Sequence, residues 1–148
     1  MSEQRRITIN GSMTYDEMLQ AVERLTVRVI SATLPGDIEG AYDEENQIIL
    51  LDRRMTSAQK RSTLTHELYH WIHGDNSCNP TRRSQSEKRV CRETAKLLVS
   101  PQRYARAEQE YDGEIYQIAC ELEVTVKVLE DYREWLRNQP SGASLEEV

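Results

Sequence analysis

The most informative segment of the chain is Thr63-Leu-Thr-His66-Glu67-Leu-Tyr-His70-Trp-Ile-His73, which holds all three histidines. Thr56 and Gln59 precede it with the spacing of a capping box, and Gly74 follows it as a helix stop. We therefore predict a helix from about residue 57 to residue 72, with the histidines in its second half.

The spacing of the histidines indicates a metal site. His66 and His70 are four residues apart, so on a helix they share one face, about 6 Å from each other, and can bind one ion. Glu67 follows the first histidine and projects beside the pair, where it can act as general base toward a water molecule that the metal activates. The pattern predicts one zinc ion and a catalytic Glu67. The alternative is a helix whose histidines only face solvent.

A catalytic zinc ion takes three protein ligands and a water molecule, so one more ligand is expected. His73 lies about 10 Å along the helix axis from His66, too far to share the ion. We expect His73 and Tyr69 to contact either the ligands or the substrate. The alternative for His73 is an interaction with the helix dipole.

The next predicted helix, residues 85–99, offers two glutamates. Glu87 lies three residues before Val90 and four before Cys91, so it shares the apolar face, where an unpaired carboxylate is costly. A bound metal would remove that cost, and this argument favours Glu87 as the third ligand. Glu93 is the second candidate. The alternative for Glu87 is an acidic residue that the helix dipole favours.

The cysteines Cys78, Cys91 and Cys120 are odd in number and match no disulfide framework, so we expect reduced thiols. Cys78 and Cys91 remain further candidate ligands. The N-terminal stretch MSEQRRITIN lacks the apolar core of a signal peptide, and no apolar run approaches the ~20 residues of a membrane span. These features predict a cytoplasmic protein without membrane contact.

The rest of the chain predicts an α+β fold. A helix at about 15–25 is followed by strands at about 26–34, 38–42 and 47–51, and helices follow at about 101–109, 112–122 and 125–137. The expected architecture is a small antiparallel sheet of about three strands, packed on the histidine helix and the second ligand-bearing helix, with a helical C-terminal extension.

Charge bears on the partners of the protein. The formal net charge of -6 argues against direct nucleic-acid binding. Basic stretches at 53–61 and 82–92 flank the histidine helix. They form either a solvated helix face or the lining of a groove for an acidic partner. The segment 118–132 is similar to a helix-turn-helix, but its second helix carries Glu130, Asp131 and Glu134. We therefore expect these helices to close the core or to dock a partner.

The segment from Gly40 to Pro101 resembles the ImmA/IrrE family of intracellular metallopeptidases, a gluzincin-like group common in phages, mobile elements and their bacterial hosts. The matching stretches are Ile48-Ile-Leu-Leu51, residues 59–73, Glu87-Lys-Arg-Val90 and Leu97-Leu98-Val-Ser-Pro101. The resemblance implies that the glutamate aligned on the Leu-Leu ending, Glu87, is the third zinc ligand. The resemblance also implies that a phage or mobile element encodes the protein and that it acts in the cytoplasm of the bacterial host.

The chain departs from the family pattern at several positions. Tyr69 stands where the family often has Gly, Val90 where it has Ala, and Glu93-Thr94 where it has Phe-Ala. Two residues rather than one separate Leu98 from the following proline. These departures keep Glu93 as the alternative third ligand.

The resemblance implies a zinc-dependent endopeptidase whose protein substrate is a helix-turn-helix repressor or a similar regulator. One alternative is a non-catalytic, metal-stabilised regulatory module that binds a repressor or DNA, and another is a metal-dependent hydrolase of a non-protein substrate. Glu67 favours an enzyme, because a structural zinc site needs no general base and is usually closed by four protein ligands.

The sequence predicts one domain with mobile ends. Residues 1–12 are expected to be a mobile N-terminus and residues 13–101 the metallopeptidase-like core. Residues 102–137 are expected to form a helical C-terminal subdomain of the same domain, and residues 138–148 a disordered tail.

Overall fold

The computed structural model describes residues 4–76 and 85–140 of the chain. Its elements, in chain order, are α1 Tyr15–Val22, β1 Arg28–Ala32, β2 Gly40–Asp43, β3 Ile48–Asp52, α2 Ser57–His73, α3 Gln85–Leu98, α4 Pro101–Glu110, α5 Ile115–Leu122 and α6 Val126–Arg137. This confirms the α+β class and the order of the predicted elements. Most of the predicted loop at 75–84, including Cys78, and most of the predicted tail lie outside the described residues.

The three strands form one sheet in the order β1-β3-β2. The hairpin is confirmed, because β2 and β3 pair antiparallel, with Tyr42 opposite Ile49. The prediction of a purely antiparallel sheet is wrong, since β1 pairs with β3 in parallel, with Arg28 opposite Ile48. The chain reverses after β1 and again after β2, so β3 returns in the direction of β1 and takes the centre. That position suits β3, whose Ile49 and Leu51 are buried.

Local signals define the ends of α2. Thr56 accepts a hydrogen bond from the Gln59 amide at 3.2 Å, and the Gln59 side chain accepts one from the Thr56 amide at 2.9 Å. Gly74 ends the helix in the left-handed region, with φ of 69°. Gly40 on β2 is constrained by a close approach, because an added Cβ there would stand 2.5 Å from the Thr63 side chain. The edge strand therefore lies directly against α2.

The C-terminal helices belong to the same core. Ile118, Leu129 and Tyr132 are almost fully buried, and the Tyr104 ring meets that of Tyr132 edge to face, with centroids 5.0 Å apart. The helix α6 packs on α3, which in turn packs on α2. The α5–α6 pair therefore supports the helix that carries Glu87.

Arg61 is buried and links separate segments of the chain, so it is not part of a solvated basic face. It is 2% exposed and donates to the backbone oxygens of Met13 at 3.0 Å, Gly11 at 2.5 Å and Glu123. Burial lowers the pKa of Arg61, but an arginine stays protonated in proteins. One guanidinium thus joins α2 to the N-terminal segment and to the turn between α5 and α6.

Arg5 fixes the opposite end of α2. Its guanidinium donates to the two carboxylate oxygens of Glu44 at 2.9 and 3.1 Å and to the Trp71 carbonyl at 2.7 Å. Ile9 of the same N-terminal segment is 5% exposed and packs in the core. Residues 4–12 therefore lie against the histidine helix.

Replacing Arg61 with Met should lower the free energy of unfolding by about 3 kcal/mol or more, because buried carbonyls would lose their hydrogen-bond donors. Urea denaturation measures this loss. Arg53→Met is the matched control: Arg53 is exposed, and its loss should change stability by less than about 0.5 kcal/mol. Equal effects of the two substitutions would contradict the role given to Arg61.

Candidate metal centre

Two helices bring the candidate ligands together. His66 and His70 lie one turn apart on α2, with ring centroids separated by 4.9 Å. Glu87, in the first turn of α3, places one carboxylate oxygen 2.9 Å from His66 Nε2 and the other 3.0 Å from His70 Nε2. The ligand atoms of these three residues lie within 4.8 Å of one another. The same nitrogen of each imidazole therefore points to a common centre.

The hydrogen bonds around His70 suit a metal ligand. Its Nδ1 donates to Asp75 at 2.7 Å, which fixes the proton on Nδ1 and turns Nε2 toward the centre as the lone-pair donor. Two imidazole nitrogens and one carboxylate oxygen are the donor set of catalytic zinc sites with an open position. The residues present therefore fit a metal ion.

Asp75 is a residue that the sequence analysis missed. It follows the glycine that ends α2, and its amide donates back to the His70 carbonyl at 3.1 Å. The left-handed backbone at Gly74 turns the chain back so that the Asp75 side chain reaches His70. The available signal was an acidic residue directly after a helix-ending glycine, five residues after a candidate ligand.

The electrostatics of the cluster favour positive charge. Burial lowers the pKa of His66, but hydrogen bonds with Cys91 and Glu87 raise it overall, to about 10. Burial also lowers the pKa of His70, and its bonds to Glu87 and Asp75 raise it by more. Hydrogen bonds from the two histidines hold the pKa of Glu87 well below its usual range. Protons and a metal cation would compete for the same nitrogen atoms.

An open cleft of about 560 Å³ runs over the cluster. His66, Glu67 and Glu87 line it, and Glu67 is 4% exposed. The negative charge of Glu67 raises the pKa of both histidines, so Glu67 adds to the negative charge around the candidate ligands. The walls come from the edge strand β2 with the loop before it, from Leu50 of β3, and from the helices α2, α3 and α6.

The other residues singled out from the sequence form a separate group. His73 Nε2 lies 2.7 Å from a Glu93 carboxylate oxygen, and the Tyr69 ring stacks on His73 with centroids 6.5 Å apart. None of these three is among the described residues that line the cleft. The structure thus brings Glu87, and not Glu93, to the histidine pair. Cys91 is half-buried beside His66.

Two histidines on one helix and a carboxylate on the next form the ligand arrangement of a metallopeptidase. The chain belongs to the IrrE N-terminal-like family of peptidases, M78, whose family model matches residues 22–131. This confirms the resemblance seen in the sequence. The family implies a metal ion and a protein substrate, and His66, His70 and Glu87 could bind that ion.

No curated protein matches the chain. Within the described ranges, no helix combines the length and the apolar character that crossing a bilayer requires.

Replacing Glu87 with Ala should weaken zinc binding by more than about 100-fold, because a ligand loss should exceed the 10–100-fold cost of losing a residue that only orients one. Competition with a chromogenic chelator measures the affinity. Glu93→Ala is the matched control, on the same helix but bonded to His73, and should bind zinc like the wild type. The reverse pattern would move the ligand to Glu93.

Replacing Asp75 with Ala should weaken zinc binding by about 10–100-fold, since His70 would lose the partner that orients its ring. The same competition titration measures the change. Glu45→Ala, an exposed acidic residue in the hairpin turn, controls for the loss of one negative charge. Unchanged affinity in Asp75→Ala would show that the contact does not support a ligand.

Proposed function

We propose that this protein is a zinc-dependent endopeptidase, with His66, His70 and Glu87 as the ligands and Glu67 as the catalytic residue. The observation that carries the proposal is the convergence of three ligand atoms beside a buried glutamate in an open cleft. A structural site would close its fourth position with another protein ligand. The presence of Glu67 at the cleft favours hydrolysis over a purely structural metal.

In the proposed reaction, Glu67 transfers the proton of the attacking water. When bound, the zinc ion supplies Lewis acidity, which polarises a substrate carbonyl and makes a water molecule more acidic. The Glu67 carboxylate takes the proton from the attacking water and delivers it to the nitrogen of the leaving amine. Asp75 keeps the His70 ring in orientation meanwhile, through the Nδ1 hydrogen bond of 2.7 Å.

The edge strand supports binding of an extended polypeptide. Strand β2 pairs with β3 on one side, and its residues Gly40 and Ala41 line the cleft. An extended segment can add to such an edge through main-chain hydrogen bonds. A substrate bound in this way would pass over the candidate metal centre in mid-chain, which favours an endopeptidase.

The charge of the cleft supports a basic substrate segment. Asp37, Glu39 and Asp131 line it, and Lys127, the lysine among its lining residues, is paired with Asp131 at 2.6 Å. DNA-binding proteins carry clusters of lysine and arginine. Together with the family resemblance, this charge supports a helix-turn-helix repressor or a similar regulator as the substrate.

Replacing Glu67 with Gln should abolish peptide cleavage and leave about one zinc ion per chain, because the amide cannot accept the proton while all three ligands remain. Zinc content is measured by metal mass spectrometry. Cleavage is measured by liquid chromatography and mass spectrometry on proteome peptides prepared with a glutamate-specific protease, which keeps lysine and arginine inside the peptides.

His66→Ala is the comparison variant and should lose both the zinc ion and cleavage. Cleavage by Glu67→Gln at the wild-type rate would show that Glu67 is not the general base. A wild-type protein that binds no zinc when zinc is supplied would refute the proposed function.

A further inference from the structure

Two buried hydroxyl groups in the cleft wall have no hydrogen-bond partner among the described residues. They are Ser62 Oγ and Thr94 Oγ1, on residues that are 6% and 3% exposed. Helices usually satisfy such groups with their own carbonyls, as Thr65 does by donating to the Arg61 carbonyl at 2.8 Å. A buried hydroxyl without a partner destabilises a fold, because it has given up its hydrogen bonds to water.

The packing of the two helices places Ser62 and Thr94 at about the same level of the cleft. The helices α2 and α3 run antiparallel, because Glu87 meets both His70 and His66, while Cys91, one turn further along α3, meets His66. The next turn of α3 therefore brings Thr94 beside Ser62, one turn before His66 on α2. Both residues line the cleft that contains the candidate metal ligands. One helical turn is about 5.4 Å, slightly less than the ~6.6 Å that separates alternate side chains on one face of an extended substrate.

We propose that Ser62 and Thr94 form a specificity subsite for an uncharged polar side chain (Ser, Thr, Asn or Gln) of the substrate, next to the scissile bond. This inference rests on the proposed peptidase function. A hydroxyl both donates and accepts, so the pair can bind the hydroxyl or the amide of such a side chain. Binding would require each side chain to rotate about χ1 to another staggered position, with its oxygen turned toward the cleft.

Other substrate residues fit this subsite poorly. An apolar side chain would leave both hydroxyls unpaired, and sites built to form hydrogen bonds reject such residues strongly. A charged side chain would lose its hydration, and two neutral hydroxyls offer it no opposite charge. The basic residues of the substrate would instead face the acidic groups elsewhere along the cleft, such as Asp37 and Glu39.

The test compares the cleavage profiles of the wild type and of the double variant Ser62→Ala/Thr94→Val, which removes both hydroxyls and nearly keeps the volume. The probe is the same library of proteome peptides. In the wild type, one position flanking the cleaved bonds should be enriched in Ser, Thr, Asn and Gln. For matched peptides with Thr or Val at that position, kcat/KM for the Thr peptide divided by kcat/KM for the Val peptide should fall at least about 10-fold in the double variant, because both hydrogen bonds to the Thr hydroxyl are lost.

Thermal unfolding provides a second measurement that a purely structural role would move in the opposite direction. Because neither hydroxyl has a partner among the described residues, the double variant should gain at least about 4 °C in Tm. Thr65→Val is the matched control: Thr65 is buried and bonded but is not among the lining residues of the cleft. It should lose stability and keep the wild-type cleavage profile.

The outcomes separate this inference from the proposed function. A wild-type profile without polar enrichment at any flanking position overturns the subsite, as does a double variant that keeps the wild-type preference. A lower Tm in the double variant with an unchanged profile shows that the hydroxyls are bonded within the fold, and it also overturns the subsite. If the zinc-loaded wild type cleaves no peptide while Glu67→Gln behaves identically, the proposed function fails first, and the subsite fails with it.

Discussion

The packing of the two ligand-bearing helices depends on one contact. The carboxylate of Glu87 is held there between the Nε2 atoms of His66 and His70. Burying two imidazoles and a carboxylate is costly unless each polar atom has a partner. These three groups satisfy one another, and Asp75 satisfies the remaining nitrogen of His70. The contact therefore fixes how α3 lies on α2, and with it the position of the cleft and of Glu67.

The helix that carries the histidines is held at both ends by arginines. Near its start, Arg61 reaches the N-terminal segment and the α5–α6 turn, and near its end Arg5 reaches the Trp71 carbonyl and Glu44. Both arginines bond to backbone oxygens far away in sequence, so α2 cannot shift without breaking contacts across the molecule. Such rigidity suits a site whose ligands must keep their geometry while a substrate binds.

The C-terminal helices are part of the candidate site rather than an appendage to it. The helix α6 packs on α3, and its residues Lys127, Val128 and Asp131 form one wall of the cleft. The pattern similar to a helix-turn-helix thus supports the ligand-bearing helix and shapes the groove that a protein substrate would enter.

Local signals in the sequence determined much of this protein. The capping box at Thr56, the glycine at 74 and the four-residue spacing of the histidines act within a few residues of the chain, so they can be read without a structure. The burial argument for Glu87 also rests on the periodicity of one helix.

The remaining features depend on contacts between distant segments, which only the tertiary structure decides. The parallel pairing of β1 follows from two chain reversals, and Arg61 is buried because three carbonyls from two distant segments converge on it. Ser62 and Thr94, whose hydroxyls have no partner among the described residues, line the same cleft because two helices pack antiparallel. No periodicity or cap in the sequence carries information about such long-range contacts, since each of them depends on how separate elements pack.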